Sequence, residues 1–167
     1  MLKRILDFIV KYQAIIVPII LKLISLIKRN TDTSMQLNKY FKLREFKCKD
    51  GTDVPEELIP KIQILADQLL ILREYWGLPI KIISGYRTAS YNKSVGGARN
   101  SYHVKGMAAD IRVAAKSPKE IYDAIERLIK DGKMREGGLG LYDNFVHYDY
   151  RDRKTRKKSP QHEWMSL

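Results

Sequence analysis

The chain has 167 residues, 44% of them hydrophobic, which suits one domain with a single packed core and short appendages. One cysteine, Cys48, excludes an internal disulfide framework, and its place in the run EFKC suits a small buried residue better than a zinc ligand. The net charge of +12 sits at the ends: residues 1–30 hold six Lys or Arg against Asp7, residues 151–158 (RDRKTRKK) hold six against Asp152, and residues 31–150 carry 19 basic against 16 acidic. A near-neutral body with basic ends suits an anionic cell-envelope surface. No specific nucleic-acid recognition module is visible, and a solvated tail is the bland reading of 151–158.

Residues 1–30 form a hydrophobic N-terminal segment. The stretch from Ile5 to Ile27 has the length of a membrane span, interrupted by Asp7, Lys11 and Lys22. The expectation is an uncleaved anchor or signal-anchor making membrane contact, ahead of an interfacial amphipathic helix, then a soluble helix. No A-x-A-like cleavage site follows the apolar run. Residues 31–38 read as a polar linker, 39–157 as the domain and 158–167 as a C-terminal tail. Phe41, Leu43 and Phe46 read as apolar pins, and Asp50–Gly51 marks a turn.

The run PEELIPKIQILADQLLILREYWG predicts a short turn at 55–59 and then a helix opened by Pro60 and stopped by Gly77. Its apolar face comprises Ile62, Ile64, Leu65, Leu69, Leu70 and Leu72. PIKIIS predicts a strand, 88–100 reads mostly as loop, and Ala109 to Val113 predicts a second strand. Ser117, Pro118 and Glu120 form a capping-box signature for a helix ending at Asp131–Gly132. GLGLYDNFVHYDY predicts a hairpin around Asp143–Asn144. Strands and helices mix without a β-α-β rhythm, so the fold class is α+β: a small antiparallel sheet with flanking helices.

The chemistry concentrates in SYHVKGMAAD, residues 101–110. It sets the His103 imidazole seven residues from the Asp110 carboxylate, with a turn-permitting Gly106 between them. Zn²⁺ takes imidazole and carboxylate donors readily, and a catalytic site uses three protein ligands and one open position. His147, in FVHYDYR, is the candidate third ligand. His162 reads as a solvated tail residue.

The string SGYRTASYNKSVGGARNSYHVKGMAADIRV, followed by GGLGLYDNFVHYDYR, resembles the zinc D-Ala-D-Ala carboxypeptidase and hedgehog-type metallopeptidase superfamily over roughly residues 36–157. The pattern S-x-H-x-x-G-x-A-x-D is met by Ser101, His103, Gly106, Ala108 and Asp110, with SGYR at 84–87 upstream and His147 downstream. The resemblance implies Zn²⁺ on His103, Asp110 and His147. It also implies a substrate-facing Arg87, with Tyr86 and Ser101 beside it, Ser101 either bonding near the site or shaping its loop. The implied activity is hydrolysis of peptidoglycan peptides at bonds involving D-amino acids, as carboxypeptidase or endopeptidase, in small bacterial or phage endolysin-like domains of the cell envelope.

The family's general-base positions do not carry over. A glutamate three residues before the last histidine is Asn144 here, and a histidine two residues before it is Phe145. Asp149, two along the strand from His147 and so on the same face, is the preferred base, with Asp143 and Glu136 as the others considered; Asp149 equally suits orienting a ligand imidazole. The missing bases keep open a non-catalytic zinc module that binds wall or protein. A basic nucleic-acid or membrane-surface protein is the third reading.

Overall fold

The computed structural model describes residues 12–13, 15–25 and 35–151. The chain divides into two units, Met1–Met35 and Gln36–Leu167. In the first, residues 15–25 are helical and their large apolar side chains, Ile15 to Ile24, are exposed. Among the described residues no helix is long and apolar enough to cross a membrane. Most of the remaining stretch on which the anchor expectation rests, like His162 and the tail beyond Arg151, lies outside the described residues.

The second unit is an α+β domain. A 3-10 turn at Leu43–Phe46 and another at Glu56–Leu58 lead into α1 (Ile59–Trp76). Then come β1 (Ile80–Ser84), α2 (Ala89–Ser94), β2 (Ala108–Val113), α3 (Pro118–Lys130), β3 (Gly138–Leu141) and β4 (Val146–Asp149). The four strands form one antiparallel sheet in the order β1-β2-β4-β3.

The helices form where the sequence punctuates them. Pro at the first turn opens α1, and Gly77, at φ +66°, closes it in the left-handed region. Ser117 caps α3 by accepting from the Glu120 N–H, while the Glu120 carboxylate reaches back to the Ser117 N–H at 2.9 Å. From α1, Ile62, Leu65, Leu69 and Leu72 are buried at helical spacing; from α3, Ile121, Ala124, Ile125 and Leu128. Ile64 and Leu70 flank that stripe, half-buried. Ala109, Ile111, Val113, Val146 and Tyr148 meet the helices from the sheet, and Phe41, Leu43, Phe46 and Cys48 join the same core.

Two departures from expectation stand out. Residues 89–94, read as loop, form α2, capped by Thr88, whose hydroxyl accepts from the Tyr91 N–H. Six residues span under two turns, too few for a helical period to register. In the stretch expected as linker, Leu37 is buried and Gln36 bridges to Lys42, so the core takes in chain from Gln36 onward.

Candidate functional site

Strand register builds the site. Asp110 on β2 pairs with His147 on β4; His147 pairs on its other side with Gly140 on β3, and Asp110 with Ser84 on β1. These four residues make one row across the sheet. Alternation sends Ile111, Val146 and Tyr148 into the core and leaves Asp110, His147 and Asp149 on the opposite face. On β1 the pairing slips between Ile82, opposite core-facing Ile111, and Ser84, opposite Asp110. That bulge turns Ser84 onto the site row, where an unbroken period of two would have kept it with Ile82.

His103 arrives from the turn before β2 and is 2% exposed. Its Nε2 lies 3.2 Å from Asp110 Oδ1 and 3.2 Å from His147 Nδ1, and His147 Nδ1 lies 2.8 Å from the same Oδ1. The other edge of each ring is occupied. His103 Nδ1 is 2.7 Å from the Gly85 carbonyl oxygen, which can only accept, so Nδ1 carries the proton. His147 Nε2 is 3.2 Å from the Asp149 carboxylate, which again takes the N–H. Two imidazole lone pairs and a carboxylate oxygen therefore converge on one point. Their ligand atoms lie within 4.8 Å of one another, the one group of this kind among the described residues. Such convergence is repulsive until a cation fills it. In the absence of metal a proton does so: burial opposes charge on His147, but Asp110 and Asp149 outweigh it and raise its pKa to about 9. Burial lowers the pKa of His103 against the pull of Asp110. Burial likewise pushes Asp110 up, yet its close contacts with the two imidazoles hold it well below the usual carboxylate range.

The SGYR segment supports this cluster one residue at a time. The Ser84 hydroxyl accepts from Arg87 Nε at 2.8 Å, and Arg87 Nη2 pairs with Asp110 Oδ2, leaving Oδ1 to the histidines. At Gly85 a Cβ would stand 2.7 Å from the Phe46 Cα and carbonyl oxygen; only glycine brings its own carbonyl to His103 there. Tyr86, expected at the substrate, is buried in the hydrophobic cluster, and its N–H donates to the Phe46 carbonyl at 2.8 Å. Arg87, 16% exposed at its side chain, borders the cluster but is engaged with the ligand carboxylate rather than standing free. Ser101 shapes the loop: its hydroxyl accepts from the His103 N–H at 3.3 Å.

Asp149 does not fit the surroundings of a general base. It is fully buried and sits on the Nε2 edge of His147, away from the converging lone pairs. Its oxygens accept from the Gly138 N–H (3.0 Å), the Arg151 N–H (3.2 Å) and Arg151 Nε (2.7 Å), with Arg151 Nη2 on the second oxygen. Burial raises its pKa, but Arg151 and His147 draw it far below the ordinary range, so it accepts a proton poorly. Gly138 makes room for it, since a Cβ there would collide with Asp149 Oδ2. Of the other candidates, Asp143 is exposed in the hairpin turn, as is Asn144, and Glu136 is half-buried. Phe145 stacks on Tyr142 at 4.3 Å between ring centroids.

Sequence reasoning missed two contributors: the Gly85 carbonyl and Arg151. Arg151 looked like the first residue of a solvated basic tail. Instead it clamps Asp149 and lies over the Tyr102 ring, 4.4 Å from its centroid. The signal available was its place two residues after Asp149, just past the end of β4.

An α+β domain that gathers two imidazoles and a carboxylate on the face of its sheet opposite the core has the donor set of a metal-dependent hydrolase. The Peptidase M15 family model matches residues 37–149, and the chain belongs to that family. It is similar to the probable peptidoglycan L,D-endopeptidase MepK of Haemophilus influenzae, 42% identical over 77 residues covering 42% of this chain and 38% of that protein. It is also similar to the peptidoglycan L,D-endopeptidase MepK of Escherichia coli K12, 38% identical over 94 residues covering 51% of this chain and 48% of the relative. The chain thus spans about half or less of the length of these relatives. No solved structure matches.

Proposed function

We propose that this chain is a zinc peptidase that hydrolyses peptide bonds of peptidoglycan, with His103 Nε2, Asp110 Oδ1 and His147 Nδ1 as the metal ligands. The observation that carries this reading is the convergence of those three lone pairs, each imidazole having already given its N–H to Gly85 O or Asp149. Three donors of nitrogen and carboxylate type leave a tetrahedral ion one position for water or substrate. When bound, the ion supplies Lewis-acid polarisation of a carbonyl and a water acidified toward neutral pH.

The chain's own residues do the rest. Arg87 orients Asp110 and stands at the edge of the cluster, where its guanidinium also suits a substrate carboxylate. Asp149, clamped by Arg151, fixes the tautomer and orientation of His147 as a positioning residue. Ser101 holds the loop that carries His103. The L,D-endopeptidase names of the relatives favour an endopeptidase acting on L,D bonds over a D,D-carboxypeptidase. The exposed apolar helix at 15–25 supports a place in the cell envelope with its apolar side chains against lipid.

The test uses the purified full chain. Metal content, and mass spectrometry of digested peptidoglycan, are compared with His103→Ala. One zinc per chain, lost in the variant, together with new L,D-cleaved muropeptide ends, is the expected result. Zinc without cleavage of any cross-peptide would replace this reading with a non-catalytic zinc module. Absence of zinc would remove both.

A further inference from the structure

We infer that Tyr142 is a catalytic residue whose phenol O–H donates a hydrogen bond to the scissile carbonyl oxygen as that oxygen gains negative charge; the inference rests on the peptidase reading above. Tyr142 follows β3, inside the string GGLGLYDNFVHYDYR but at none of the positions to which the sequence analysis gave a role. Its position is fixed by an empty one. Gly140 stands in the site row beside His147, so a side chain at 140 would project onto the site face. A Cβ built there would meet the Tyr142 ring at Cε2, 3.1 Å away, and His147 Cβ at 3.4 Å. The Tyr142 ring therefore occupies the space that Gly140 leaves open, beside the third candidate ligand.

The ring is held from the other side as well. It stacks on Phe145 at 4.3 Å with an interplanar angle of 14°, and the Tyr142 N–H donates to the Phe145 carbonyl at 3.1 Å. Phe145 is thus the apolar support for a polar ring. The phenol lies within electrostatic reach of the Asp110 carboxylate and the Arg87 guanidinium. It has no hydrogen-bond partner among the described residues, and the residue is only half-buried.

A neutral phenol beside the ligand cluster, rigidly stacked and uncommitted, has the chemistry of an oxyanion donor. As the oxygen of a water that has already lost its proton to solvent bonds to the carbonyl carbon as hydroxide, the C=O π pair moves onto the carbonyl oxygen, and an O–H already in place stabilises that charge without transferring its proton. A donor of this kind contributes about 10²- to 10³-fold in kcat when removed from a preorganised site. It acts on the oxygen that changes charge and leaves ground-state binding nearly untouched.

The experiment is Tyr142→Phe in the full chain, which keeps the ring and its stacking. A dimeric muropeptide with an L,D cross-link is the substrate, and a phosphinate isostere of that bond is the transition-state mimic. The expected result is a kcat lower by about 10²-fold with KM within about threefold, and isostere affinity falling in parallel with kcat/KM. Zinc content and melting temperature stay at parent values. A kcat within threefold of the parent overturns the inference, as does a loss that tracks lost zinc or lost folding, or isostere affinity equal to the parent's. A parent chain that loads zinc yet cleaves no peptidoglycan overturns the peptidase reading itself, and the inference with it. These failures are distinguished by the parent's activity.

Discussion

The two halves of the candidate metal centre hold their histidines by different means. His103 sits on a turn and is fixed by a backbone carbonyl, Gly85 O, which carries no net charge and cannot titrate. His147 sits on a strand and is fixed by a carboxylate, Asp149, itself clamped by Arg151. The electrostatic result is opposite on the two sides. Burial lowers the pKa of His103, while paired carboxylates raise that of His147 to about 9. One arm is therefore a neutral, preformed ligand. The other must lose a proton to take metal, and its basicity is set by a network that substitution can alter.

The comparison breaks most completely at the shared residue. Asp110→Ala removes the oxygen on which both imidazoles converge, so equilibrium dialysis with elemental analysis should find no zinc retained and digestion assays no cleavage. The difference between the arms is read next by pH in the metal-free chain. His147 has a folded pKa above its unfolded value, so its stabilisation is fully present below about 6.5 and is lost as pH rises through about 9. That loss is on the order of 3 kcal/mol. His103, shifted the other way, removes stability only as pH falls below about 6.5. Thermal melts without metal should peak near neutral pH and decline toward pH 9.5. Saturating zinc should abolish the alkaline decline, and a decline of equal size with zinc bound would contradict the assignment of His147 as a ligand.

Asp149→Ala then tests the tunable arm. Zinc affinity, measured by chelator competition, should fall by about 10- to 100-fold. A general base would instead lower kcat at unchanged zinc affinity. The smallest effect on metal is expected on the fixed arm. Gly85→Ala places a Cβ against the Phe46 backbone and should cost about 1–3 kcal/mol of stability in denaturant melts. Zinc affinity in the fraction that remains folded should change less than in Asp149→Ala.

The elements differ in how legible they were. The α3 helix was readable because its capping box and its apolar residues at 121, 124, 125 and 128, repeating over about two turns, are local signals. The short α2 helix was not, because six residues give periodicity nothing to count. At the site, the residue types of His103, Asp110 and His147, within a string that resembles the metallopeptidase pattern, marked the candidate ligands. Partner choice is not. Asp149 was visible as a same-face carboxylate, but its reach to the outer nitrogen of His147 and its clamp by Arg151 depend on rotamers and on the space left by Gly138. Tyr86 looked like a substrate residue because it sits inside SGYR, yet packing takes it into the core.

By itself, the sequence determined the residue types able to hold a metal, the alternation that puts His147 and Asp149 on one face of a strand, and the helix boundaries set by proline, glycine and caps. Each follows from short-range covalent geometry. Only the tertiary structure decided which ring nitrogen meets the cluster, that a bulge in β1 brings Ser84 beneath Arg87, and that Tyr142 fills the gap over Gly140. Those outcomes depend on register and close packing between strands distant in sequence, where a shift of one residue or one methyl group changes which atoms meet.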